Sequence, residues 1–169
     1  YIKKEKKTAD TILRQILFTR DYQTVGVQSP QWQNLKNIIH NAANLLDIGP
    51  VSLKVNLDDT EVFADPLLEK VFFNLIDNSI RYGKNLTSID FSVEATDPGL
   101  TLICSDDGGG IPPDEKENIF NRKYFSNTGF GLFLSREILS ITGLSIAETG
   151  EFGAGARFEI YIPKGNFRQ

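Results

Sequence analysis

The chain is poor in reactive side chains and in membrane-directed features. It has one cysteine and one histidine among 169 residues, and no apolar run approaches the ~20 residues that a membrane helix needs. Positive charge is not in excess: 18 Lys and Arg stand against 22 Asp and Glu, a formal net charge of −4. A lone Cys104 cannot close an internal disulfide, so nothing asks for an oxidising compartment. Set in a β-rich apolar run, it reads as a small core residue rather than a nucleophile. The negative balance argues against nucleic acid as a partner, since phosphate backbones select basic surfaces. No signal peptide is expected, the expected location is cytoplasmic, and no membrane contact is expected of this segment, whatever anchors its parent protein. What is present is ordinary for a soluble globular domain: 40% hydrophobic and 24% charged residues, enough for one core.

Residues 1–26 read as a helix. Ile2, Ala9, Ile12 and Ile16 follow a three-and-four spacing, widened by Leu13 and Leu17. One amphipathic helix cannot bury its stripe alone, so it packs on its own domain or joins a two-chain bundle. Tyr1 already lies inside the helix, and a longer parent chain is expected. Gly26 to Pro30 breaks the helix; Ser29 fits an N-cap and Pro30 a first helical position. The second helix then runs through Trp32, Leu35, Ile38, Ile39, Ala42, Ala43 and Leu46 to Gly49-Pro50. Val51, Leu53, Val55 and Leu57 alternate as a strand, and Asp65-Pro66 caps a third helix reaching about Tyr82. Ile89, Phe91 and Val93 form a strand that turns at Asp97-Pro98-Gly99 and returns from Leu100 to Cys104. A helix from about Phe130 to Thr142 and strands near 144–149 and 155–162 complete the chain. The order lacks a βαβ rhythm. It predicts an α/β (α+β) two-layer sandwich with a mixed, largely antiparallel sheet and helices on one face. Residues 1–28 are expected to be a helix fragment and linker, and 29–169 the domain.

Four stretches carry chemistry. Asn74 and Asn78 share one face of the third helix, and amide oxygens can complete the shell of a Mg²⁺ that already carries phosphate. Asp106-Asp107-Gly108-Gly109-Gly110-Ile111-Pro112 follows a strand; a carboxylate there, with glycines allowing close backbone approach, suits the amino edge of a base. Thr128-Gly129-Phe130-Gly131-Leu132 opens a helix and exposes backbone N–H groups at its positive end, an anion site. Gly153-Ala154-Gly155-Ala156-Arg157-Phe158 is a tight turn into the last strand. Singly, each has a plain structural alternative: amides at a helix edge, an acidic turn, a hairpin. Neither the P-loop nor the Rossmann pattern is present.

In this order and spacing the four stretches resemble the N, G1, G2 and G3 boxes of the Bergerat ATP-binding fold, over roughly residues 31–162. That superfamily holds histidine kinases, type II topoisomerases, mismatch-repair ATPases and a heat-shock chaperone. Ile119-Phe120, with Tyr124 beyond, resembles the F box of the kinases. Asn74 stands where the hydrolytic members carry a glutamate that activates water, and an asparagine cannot take that proton. The resemblance therefore implies the C-terminal catalytic domain of a two-component histidine kinase, with ATP and Mg²⁺ as cofactors. Residues 1–26 look like the end of its dimerisation hairpin. Phe18-Thr19-Arg20-Asp21-Tyr22-Gln23, with Gly26 and Trp32, is similar to sensor kinases of methanogenic archaea.

As implied by the resemblance, Asp106 reads adenine, and Tyr82, Gly108, Gly110 and Ile111 line the pocket. Asn78, helped by Asn74, holds Mg²⁺; Arg81 lies near the phosphates; and Thr128, Gly129, Phe130, Gly131 and Leu132 form the phosphate cradle. Tyr124 belongs to the lid, and from placement alone Arg122 or Lys123 is expected to supply a cation to the γ-phosphate. The implied partners are ATP and ADP, the protein's own phosphoacceptor domain in a homodimer, and the receiver domain of a response regulator. The lid is short for the family, Asn127 replaces the first glycine of G2, and Lys123 stands where an aromatic is common. His40 lies inside the domain's first helix without the acidic residue that follows a phosphoacceptor histidine, so this chain is expected to bind ATP without autophosphorylating. The rival readings are a serine kinase of the anti-sigma-factor type, with the same fold, and a degenerate scaffold that binds no nucleotide.

Overall fold

The computed structural model describes residues 1–121 and 130–169. Helix α1 spans Ile2–Thr24 and buries no residue. Its half-buried positions include Thr11, Arg14, Phe18 and Asp21, spaced as one helical face. The apolar stripe points away: Ile2 is 82% exposed, Ile12 52% and Ile16 59%. The helix thus rests its polar and aromatic side on the body, and the predicted apolar side faces solvent.

The second helix starts later than predicted. Gln31–Asn34 forms strand β1, and α2 spans Leu35–Asn44 with Asn34 as N-cap, its side chain accepting from the Asn37 N–H at 3.0 Å. Ser29 and Pro30 cap nothing. Tertiary partners override the local signal: β1 pairs antiparallel with β3 (Glu61–Ala64), placing Trp32 opposite Phe63 with ring centroids 5.4 Å apart. Buried Gln33 donates to the Ala64 and Asp65 carbonyls at 3.1 and 3.0 Å. The two-residue β8 (Phe167–Arg168) completes this small sheet in the order β1-β3-β8. The sequence reading contained neither β3 nor β8.

The main sheet contains β2 (Ser52–Asn56), β4 (Ser88–Thr96), β5 (Gly99–Asp106), β6 (Ser145–Glu148) and β7 (Arg157–Ile162). Its order is β2-β4-β5-β7-β6; β2 and β4 run parallel and every other pair antiparallel, as predicted. Strand alternation divides its faces. Ile89, Phe91, Leu102, Phe158 and Ile160 enter the core against α2, α3 (Leu68–Tyr82) and α4 (Gly131–Ser140). The other face carries pairs such as Arg157–Glu159 at 3.0 Å and Lys54–Asp90 at 4.0 Å. Cys104 lies in the core, where burial, and then the charges of Asp106 and Asp90, push its thiol far above the usual range. Among the described residues, no helix is long and apolar enough to cross a membrane.

Candidate functional site

Helix α3 organises the site. Leu68, Val71, Phe72, Leu75, Ile76 and Ser79 fill its buried stripe, so the packing of that stripe fixes the half-buried Asn74 and Asn78 beside it. The Asn74 amide donates to the Gly131 carbonyl at 2.9 Å and to Ser135 Oγ at 3.2 Å. Ser135 in turn donates to the same carbonyl at 2.8 Å. Asn74 therefore pins the first turn of α4 to α3, and a Cβ added at Gly131 would sit 3.3 Å from its amide.

One residue beyond Asn78, the Ser79 hydroxyl donates to Asp106 Oδ2 at 2.7 Å. Asp106 Oδ1 accepts from the N–H groups of Gly108 at 2.9 Å and Ala156 at 3.1 Å. A carboxylate offers about four lone-pair sites, and these three bonds leave one for a further donor. The donors come from α3, the loop after β5 and the turn before β7, so three distant segments orient one carboxylate. Close approach needs glycine here. A Cβ at Gly108 would lie 2.8 Å from the Gly83 Cα, and one at Gly155 only 1.9 Å from the Asp106 carbonyl oxygen.

Two supports of this loop were not found by sequence reasoning. Asp107 accepts from the N–H groups of Thr87 and Ser88 at 2.8 and 3.0 Å and from the Thr87 hydroxyl. The Thr87 hydroxyl first, and then the backbone N–H groups, hold its carboxyl down at about 2. Buried Glu148 pairs with Lys116 at 2.5 Å. Lys116 also donates to the Gly150 carbonyl at 2.7 Å, and Glu148 accepts from the Gly150 and Arg157 N–H groups. The pair fastens the segment after Ile111 to the turn that presents Ala156. Ser79 had a faint signal, a small polar residue on the buried stripe; Lys116 and Glu148 had none, being 32 residues apart.

The other predicted residues divide between two ends. Gly108 is buried, Gly110 has φ +73°, and half-buried Ile111 packs against the core. Tyr82 ends α3 at 48% exposure. Asn74, Asn78, Arg81, Phe130 and Gly131 line a cleft of about 640 Å³ between α1, α3 and the start of α4. Arg81 is paired with Asp77, Nε lying 2.9 Å from both carboxylate oxygens. Burial pushes the Asp77 carboxyl up, against the charge of Arg14 on α1. Phe130 stacks on Phe18 with centroids 4.5 Å apart, so its ring serves the α1 contact. Leu132 puts its side chain in the core, and what it can offer an anion is its first-turn N–H. Arg122, Lys123, Tyr124, Asn127, Thr128 and Gly129 lie outside the described residues. Among the described residues, no cluster of three His, Cys, Asp or Glu side chains could hold a metal. The donors beside the cleft are amides, which fit a Mg²⁺ that brings phosphate oxygens with it.

A family model described as "Histidine kinase-, DNA gyrase B-, and HSP90-like ATPase" matches residues 64–166. The chain is 27% identical over 145 residues to the sensor protein KdpD of Escherichia coli, covering 79% of this chain and 16% of that protein. It is 28% identical over 176 residues to the adaptive-response sensory kinase SasA of Prochlorococcus marinus, covering 87% and 45%. It thus spans less than half the length of these relatives. The catalytic domain of histidine kinase ThkA superposes with a TM-score of 0.66 at 25% identity, over 81% of this chain and 98% of that one.

Proposed function

Because the chain belongs to the family of histidine kinase-, DNA gyrase B- and HSP90-like ATPases, as an ATP-binding catalytic domain of the sensor histidine kinase kind, we propose that it transfers the γ-phosphoryl group of Mg·ATP to a histidine outside this segment. The observation that carries the reading is Asp106: three donors from three segments leave its carboxylate one open direction, suited to the exocyclic amine of adenine. Asn78, beside Ser79 on α3, sets a metal-binding amide one residue from the group that orients Asp106. Asn78 would hold Mg²⁺ there, and the ion would neutralise phosphate charge. Asn74 offers no general base for water, and its amide nitrogen is already committed to α4. Catalysis is then positioning and electrostatics, as in other phosphoryl transfers.

The exposed apolar stripe of α1 supports a helical bundle with a second copy as the setting for transfer. His40 is exposed on α2, and the acceptor histidine is assigned to the parent's dimerisation domain. A response-regulator receiver domain is the proposed onward partner, and the cytoplasm, where ATP is supplied, is the proposed compartment. The test is phosphoryl transfer from ATP to a supplied dimerisation domain of the parent kinase. Asn78→Asp is expected to reduce the rate by about tenfold or more, because an added negative charge upsets the metal shell. An unchanged rate at limiting Mg²⁺ would remove Asn78 from the metal site.

A further inference from the structure

Helix α1 sets an arginine inward while its isoleucines face solvent. Arg14 is half-buried although Ile12 and Ile16, two residues to either side, are 52% and 59% exposed. A long cation held inside an apolar-outward helix needs a reason, and the cleft supplies one. Arg14 lines it opposite Asn74, Asn78 and Arg81. At about 640 Å³ the cleft has the size of a small-ligand pocket, so α1 lies across the end of α3 without filling the space before the two asparagines.

Three cations around it, Arg14, Lys70 and Arg81, face three carboxylates, Asp10, Asp21 and Asp77, and are unevenly paired. Asp21 of α1 is met by Lys70 at 3.4 Å and Arg20 at 3.5 Å. Asp77 holds the Arg81 guanidinium in direct contact, and Arg14 lines the same cleft from α1. Asp21 and Asp77 thus have their cations, whereas Arg14 forms no ion pair among the described residues and shares its wall with Asp10, exposed one turn before it. Two planar, permanently charged forks facing a gap suit a dense anion such as a phosphate.

We propose that Arg14 is a phosphate-binding residue: the cleft between α1 and α3 takes the terminal phosphate of a nucleoside triphosphate, with Arg14 on one wall and Arg81 on the other. The inference rests on the nucleotide reading above and adds a residue from the linker helix to the site. It makes α1 a wall of the site, so nucleotide occupancy and the docking of α1 are linked.

The experiment is isothermal titration of the 169-residue chain with ADP and with a non-hydrolysable ATP analogue, both with Mg²⁺, in the unmodified protein, Arg14→Gln and Arg14→Lys. Arg14→Gln is expected to weaken the triphosphate analogue by roughly three- to tenfold while ADP affinity moves by less than about twofold, with Arg14→Lys recovering part of the loss. A purely structural Arg14, holding α1 in place, would affect both nucleotides alike. Equal loss for the two, or no change for either, overturns the proposal while leaving the nucleotide site standing. Failure of the unmodified chain to bind ADP would overturn the nucleotide reading, and this inference with it.

Discussion

At Asp106 and Asp107, two adjacent carboxylates have been given different work by their neighbours. Asp106 is oriented by one hydroxyl and two backbone N–H groups, whereas Asp107 is exposed and spends its oxygens on Thr87 and Ser88 at the start of β4. Those bonds hold the Asp107 carboxyl at about 2, below its ordinary 3.8. A carboxyl lowered by folding stabilises the native state fully above its unfolded value and loses that contribution as pH falls from about 3.8 towards 2. Urea unfolding of the unmodified chain and Asp107→Asn should therefore differ at pH 6 and converge as pH drops through that window. A gap independent of pH would show that the Thr87 and Ser88 bonds do not depend on the charge. The polar residues were legible in the sequence where chemistry is local, as with Asn74 and Asn78 four apart and Asp106 before its glycines. Ser79 was not, because a serine in a helix is unremarkable until its partner, 27 residues on, is brought to it.

Elements differ in how far their signals are local. Helix α3 and strands β4 and β5 formed as read because periodicity and turn residues agree with burial. Strand β1 did not, because its pairing with β3 and the tilted contact of Trp32 with Phe63 are tertiary. Asp65, read as a helix cap, instead bonds the N–H groups of Leu67 at 2.8 Å and Gly26 at 2.9 Å, tying the start of α3 to the linker after α1. The Lys116–Glu148 pair joins elements in the same way, and its removal should show at that scale. Lys116→Met leaves a carboxylate buried without its cation, and a loss of about 3 kcal/mol in unfolding free energy is expected. Adding Glu148→Leu should return most of it, since a well-packed apolar pair replaces a buried ion pair at little cost. If the single and double variants were equally unstable, the ion pair would not be what the turn before β7 depends on.

The whole molecule combines a two-layer body with a helix that lies on it by the wrong side for a self-contained domain. Composition and motif order made the body, its sheet and its family legible, because four short motifs in order constrain one another more than any does alone. They left undecided whether the stripe of α1 packs inward, and the exposure of Ile2, Ile12 and Ile16 shows that it does not. The small β1-β3-β8 sheet was invisible for the opposite reason: its strands are two to four residues long, too short to show a period. In the proposed reading the body and helix share the nucleotide site, its base end at Asp106 and its phosphate end beside α1.

The most direct measurement is titration calorimetry of Mg·ADP against the unmodified chain and Asp106→Asn. The account predicts binding in the micromolar range for the unmodified chain, weakened by about a hundredfold in Asp106→Asn, whose amide must turn one oxygen's worth of acceptor into a donor among donors. Equal binding by the two proteins, or none by the unmodified chain, would contradict it.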